Sequence, residues 1–184
     1  KSFEGASLWQ ILFWRQLFFV FFVSIFLLIT YKKKIFVVLY ESGMPGLFGG
    51  VILGCGFSAY VFAMYNTTVA NTNFIIQTQA IFLAIFGYLF LKEKISKLTL
   101  SSIILAISGI ILMVGNSLSP GELSGNLVAF IMPTSFAVLI IIVRKYPKVD
   151  MVPLQLFAGI VAALIGYFIS TKIIISANDL LLAF

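Results

Sequence analysis

Histidine is absent from the 184 residues, and cysteine occurs once, at Cys55. The first absence removes the commonest metal ligand and the commonest proton-moving group near neutral pH; the second excludes an intrachain disulfide. Acidic residues are scarce as well, with 6 Asp and Glu against 12 Lys and Arg, and only 10% of the chain is charged. No nucleophile–base pair, metal cluster, phosphate-binding glycine loop or pair of catalytic carboxylates can be assembled from this set. The chain therefore reads as a non-enzyme with no catalytic residue, metal or cofactor. Soluble-domain, low-complexity and cleavable-signal features are missing too, since Lys1 is the only basic residue ahead of the first apolar run and no convincing small-residue cleavage site follows it.

What is present is apolar. Hydrophobic residues make up 61% of the chain, with 20 Phe and 14 Gly, and the mean hydropathy is +1.14. A soluble domain of this length could not bury that much apolar surface. The composition predicts an all-α, polytopic transmembrane helix bundle whose main partner is the lipid bilayer. Runs at 11–30, 47–65, 69–91, 98–114, 126–143 and 154–171 are each near the ~20 residues that a spanning helix needs. A further stretch begins at Leu180 and stops at Phe184, and residue 1 is Lys; a chain truncated at both ends is expected.

The net charge of +6 suggests nucleic acid until the cations are placed. Lys32, Lys33, Lys34, Lys92, Lys94, Lys97, Arg144, Lys145 and Lys148 lie in alternate connections, against only Lys1 and Lys172 in the opposite set. This asymmetry reads as topology: no nucleic-acid partner, a multi-pass protein of the inner (cytoplasmic) membrane, basic loops in the cytoplasm, and a chain start outside. Pro45, the stretch from Ser119 to Gly121, and Asp150 with Pro153 punctuate the runs where helices should open. The Ser/Pro/Gly-rich segment 116–125 is the expected boundary between two halves.

Helix faces supply the candidate functional residues. In the third run Ala70, Asn73, Gln77, Ala80, Ala84 and Gly87 recur at spacings of three and four, a small or polar stripe that should meet protein or a wet cavity. Asn73 and Gln77 serve equally well as interhelical hydrogen-bonding groups or as substrate contacts. Gly46, Gly50, Gly54 and Ser58, the group Ser102, Ala106 and Gly109, and the pairs Gly159/Ala163 and Ala162/Gly166 are small-residue packing faces. Pro133 removes a backbone hydrogen bond within the fifth run, beside Thr134 and Ser135, and is a candidate hinge. Arg15 is the one charge inside the runs; it either snorkels to the interface or attracts an anionic group. Glu93, between Lys92 and Lys94, reads as a structural ion-pair or topology residue. No Asp, Glu or His lies deep in a run, so a proton relay has no visible residues.

The stretch 59–114, with its small-residue junction through Thr68 and Ala70, the helix ending Leu91-Lys92-Glu93, and Gly109 before a hydrophobic end, resembles the EamA-type domain of the drug/metabolite transporter superfamily. Arg15, and Gly125-Asn126 through Arg144, resemble the family also. Gln77-Thr78-Gln79 stands where the family often has Pro, and Ser102 where it often has Gly. The resemblance implies ten helices in two five-helix repeats of inverted topology. Residues 1–115 would be a first repeat lacking its first helix, 116–125 the outer connection, and 126–184 the start of a second repeat. It further implies a carrier that moves a small metabolite, such as an amino acid, a related metabolite or a drug, by alternating access. On that reading the helix faces, not the family pattern, place the expected substrate contacts at Asn73, Gln77, Thr134 and Ser135, with Arg15 added as the one charge inside the runs. The alternative is a non-transporting membrane component whose polar faces serve helix packing; a homo-oligomer is left open.

Overall fold

The computed structural model describes residues 5–115, 120–170 and 172–183. Lys1, the stretch 116–119, Thr171 and Phe184, which bound several of the expected segments, lie outside the described residues. Among the described residues every regular element is helical.

Helix α1, Leu8–Tyr31, starts where a capping box predicts a start: the Ser7 hydroxyl accepts from the Gln10 backbone N–H while the Gln10 side chain accepts from that of Ser7. Lys32, at φ +49°, ends it. A single 3-10 turn, Lys32–Lys34, leads into the short α2, Ile35–Glu41. Helix α3, Gly43–Asn66, opens on Gly43 at φ +51° with Pro45 in its first turn, where proline's missing N–H costs nothing.

The third apolar run is not one helix. It forms α4, Val69–Ile76, and α5, Gln79–Leu91, with a break at Gln77 and Thr78. The cause is local: the Thr78 backbone N–H turns to the carbonyl of Ile75 at 3.0 Å, and its hydroxyl bonds the same oxygen at 2.6 Å. A side chain that competes for backbone in this way tightens the turn and interrupts the four-residue ladder.

Helix α6 is Lys97–Gly115. The next helix opens at Pro120, earlier than the apolar run, and divides into α7, Pro120–Ala129, and α8, Ile131–Lys145. Pro133 accounts for the division, because it has no N–H to offer the Ala129 carbonyl and its ring crowds that group. The Phe130 N–H falls back on Leu127 at 3.3 Å, and the Phe130 carbonyl accepts both the N–H and the hydroxyl of Thr134, at 3.2 and 2.7 Å. Helix α9, Leu154–Ile169, and α10, Ala177–Ala183, follow. Four stretches, Leu8–Glu41, Gly43–Asn66, Val69–Leu91 and Glu122–Lys145, are long and apolar enough to cross a membrane, and Lys97–Gly109 and Leu154–Ile169 are shorter apolar helices. The protein is a polytopic helical membrane protein.

Two compact units divide the chain: Lys1–Ser58 with Tyr146–Phe184, and Ala59–Lys145. In the first unit α9 lies against α1 and α3 through bare backbone. A Cβ on Gly54 would come within 2.7 Å of the Ala158 carbonyl oxygen and 2.8 Å of the Val161 Cβ; one on Gly50 would meet the Phe157 Cβ at 2.5 Å. On the α1 side, Gly166 faces the Phe13 nitrogen at 2.8 Å and Gly159 faces Val20 at 2.7 Å. The small residues of α3 and α9 thus act as the packing faces expected from their spacing. Gln10 and Trp14, one turn apart on α1, also donate to the carbonyls of Ile174 and Ile173, both at 2.9 Å, which anchors the non-helical segment after α9.

In the second unit α5 pairs with α8, and Ala63, Ile75 and Ala129 form a buried cluster with Phe130 packed against it. Outward-facing Phe21, Phe22 and Phe26 on α1 and Phe90 on α5 are exposed, as expected of side chains solvated by lipid rather than water.

Candidate functional site: a cavity at the broken third helix

The α4–α5 break opens onto a cavity of about 320 Å³. One wall is the break itself, with Phe74, Gln77, Thr78, Ala80 and Ile81; the other is α6, with Thr99, Ser102, Ile103 and Ala106. The lining is largely apolar and carries no charged side chain. Its polar groups are the Gln77 amide and three hydroxyls. Thr78 donates to the Ile75 carbonyl and Ser102 to the Leu98 carbonyl at 3.0 Å, while the Thr99 hydroxyl lies 2.8 Å from that of Ser96. A hydroxyl whose proton is committed to its own helix still offers acceptor lone pairs. The wall therefore presents hydrogen-bond acceptors, plus an amide able to donate and accept.

Of the residues singled out from helix faces, Gln77 lines this cavity, and so do Ala80, Ser102 and Ala106 from the small-residue stripes. Asn73 is exposed one turn earlier on α4 and is not part of the wall. Ser135 is buried on α8 and Thr134 is half-buried, its hydroxyl engaged with Phe130. Arg15 is exposed on α1, within the other compact unit. Pro133 is fully buried at the α7–α8 bend.

A buried polar knot lies elsewhere in the same unit, and the stripe did not point to it. The Thr67 hydroxyl donates to the Asn126 side-chain oxygen at 2.7 Å and accepts from the Asn71 amide at 3.4 Å. Asn126 is completely buried, and its amide nitrogen has no partner among the described residues. Gly125 makes the approach possible, since a Cβ there would stand 2.9 Å from the Asn66 and Thr67 backbone. The usable signal was the density of amides and hydroxyls from Asn66 to Thr72 in an otherwise apolar region, together with the Gly125-Asn126 pair. Those groups need partners, and two such segments in one bundle satisfy each other.

At the far end of α5, Lys92 adopts the left-handed conformation (φ +57°), and the N–H groups of Lys92 and Glu93 both turn back to the Gly87 carbonyl. The Glu93 carboxylate folds over Gly87, 2.8 Å from where a Cβ would stand, and pairs with Arg144 of α8 at 2.8 and 3.1 Å. The ion-pair partner of Glu93 is thus on the neighbouring helix, while Lys92 and Lys94 remain exposed.

Residues 1–115 match the EamA-like transporter family. The chain belongs to that family. This EamA-like protein is accordingly a membrane transport protein and not an enzyme, with the bilayer and a transported substrate as its partners. No curated protein and no solved structure matches it. Among the described residues no group of His, Cys, Asp and Glu could hold a metal ion.

Proposed function

We propose that this protein is a carrier for a small metabolite, an amino acid, a related metabolite or a drug, operating by alternating access across the cytoplasmic membrane. The observation that carries the reading is the cavity at the α4–α5 break, where Gln77, Thr78, Thr99 and Ser102 gather. Transporters of inverted-repeat architecture place their sites at interrupted helices, because only there does a spanning segment expose polar backbone to a cavity. On this reading all six apolar runs cross the membrane, belonging to a five-plus-five arrangement, and the basic connections face the cytoplasm. Gln77 is the leading substrate contact and Pro133 the hinge. Asn73, Thr134, Ser135 and Arg15 are assigned to surfaces that the substrate meets in other stages of the cycle.

The test is uptake by proteoliposomes of a radiolabelled panel of amino acids, related metabolites and drugs. Gln77→Ala should lower uptake of the transported compound about tenfold, the equivalent of one lost hydrogen bond of roughly 1.4 kcal/mol, with helicity unchanged. Saturable uptake that is indifferent to Gln77→Ala and to Ser102→Ala would remove the cavity from the pathway.

A further inference from the structure

The segment joining α1 to α3 holds an unusual concentration of unpaired cations. Lys32, Lys33 and Lys34 form the 3-10 turn and all three are exposed. Directly after them α2 turns Phe36, Val37 and Tyr40 outward, at 80, 52 and 87% exposure. A second connection of the same compact unit is tied to this turn: the Tyr31 hydroxyl donates to the Asp150 carboxylate, whose other oxygen accepts from the Val152 N–H at 3.0 Å. The Tyr146–Val149 turn, closed by the Val149 N–H on the Tyr146 carbonyl, carries exposed Lys148 beside that tie. The connection that carries Lys148 is thereby joined to the lysine turn, and none of the four lysines has an ion-pair partner among the described residues. Of the nearby acids, Asp150 is engaged by Tyr31 and Val152, and Glu41 lies at the far end of α2.

We propose that Lys32, Lys33, Lys34 and Lys148 form a binding surface for the headgroup phosphates of anionic phospholipid, with the Phe36, Val37 and Tyr40 side chains inserted among the acyl chains. The setting selects this occupant. The turn directly continues a membrane-crossing helix, so its lysines reach the headgroup layer, where a cluster of cations is attracted by anionic lipid. Exposed aromatic and aliphatic groups beside such a cluster belong at the boundary between headgroups and hydrocarbon. Free phosphate would satisfy the lysines but would leave the exposed apolar side chains of α2 uncovered. The Tyr31–Asp150 bond is the positioning element, because it joins the connection bearing Lys148 to the turn bearing the other three without adding a cation.

Native mass spectrometry of the purified protein, equilibrated with equal amounts of phosphatidylglycerol and phosphatidylcholine, reads the surface directly. Phosphatidylglycerol should be retained several-fold over phosphatidylcholine, and K32Q/K33Q/K34Q/K148Q should abolish the preference. Tyr31→Phe preserves every charge and the apolar side chains of α2; it should lower retention about three- to tenfold, as expected for loss of one positioning hydrogen bond. Glycerol phosphate at the same concentration should displace none of the lipid. Equal retention of the two lipids, wild-type retention in Tyr31→Phe, or displacement by glycerol phosphate would each overturn the proposal. If the lysine variant loses its helicity, Tyr31→Phe decides alone.

Discussion

At the scale of single residues, two glycines that look alike in the sequence do different work. Gly125 faces fixed backbone, with Asn66 and Thr67 atoms 2.9 Å from a built Cβ, so Gly125→Ala must push two segments apart and should cost about 1–3 kcal/mol. Gly87 faces the flexible end of Glu93, which can swing away. Gly87→Ala should therefore leave stability nearly unchanged and abolish the coupling between Glu93 and Arg144, an exposed pair worth at most about 1 kcal/mol. Unfolding in mixed micelles measures both, the second through a double-mutant cycle at Glu93 and Arg144 in each background. A large stability loss in Gly87→Ala would show that the carboxylate is not free to move. Nothing in the spacing of these glycines distinguishes them, because the difference lies in what approaches from across the bundle.

At the scale of elements, helix positions were legible and helix continuity was not. The apolar runs locate α1, α3, α6 and α9 to within a few residues, since run length and the prolines that open helices, Pro45 and Pro153, act locally. The stripe through Ala70, Asn73, Gln77, Ala80, Ala84 and Gly87 assumes an uninterrupted helix. Once Thr78 takes the Ile75 carbonyl, the run is two helices rather than one, and the stripe does not share one environment: Ala70, Asn73 and Ala80 are exposed while Gly87 is buried. The knot of Thr67, Asn71 and Asn126 depends on a pairing between segments far apart in the chain, which periodicity cannot report. Pro133 was legible as a break, and its role can be tested at the same scale. Pro133→Ala restores a donor to the Ala129 carbonyl and should join α7 and α8 into one helix, raising helicity by circular dichroism and thermal stability by about 1–3 kcal/mol. If the bend serves as a hinge, uptake should fall as stability rises; unchanged uptake would leave Pro133 a structural kink.

For the whole molecule, the charge asymmetry makes one arrangement checkable. With Cys55 replaced by Ala, single cysteines introduced at Lys33, Lys94 and Lys148 should all be labelled by an impermeant maleimide from the same side, the cytoplasm, and one at Lys172 from the other. Labelling of Lys33 and Lys148 from opposite faces would contradict the proposed crossings and also the convergence of the four lysines.

The bare-backbone seam between α1 and α9 bears on how the protein is made. Phe13 and Val20 meet Gly166 and Gly159, partners that the ribosome delivers on the order of ten seconds or more after α1 at ordinary synthesis rates. The residues from Ala59 to Lys145, by contrast, are contiguous and emerge together. The second unit can therefore close on itself while α1 still waits in the bilayer with its α9-facing surface against lipid, and the first unit is completed only when a helix encoded well over a hundred residues later slides its glycines into place. Pausing during translation, or handling by an insertion chaperone, would act on that interval more than on any other step of assembly.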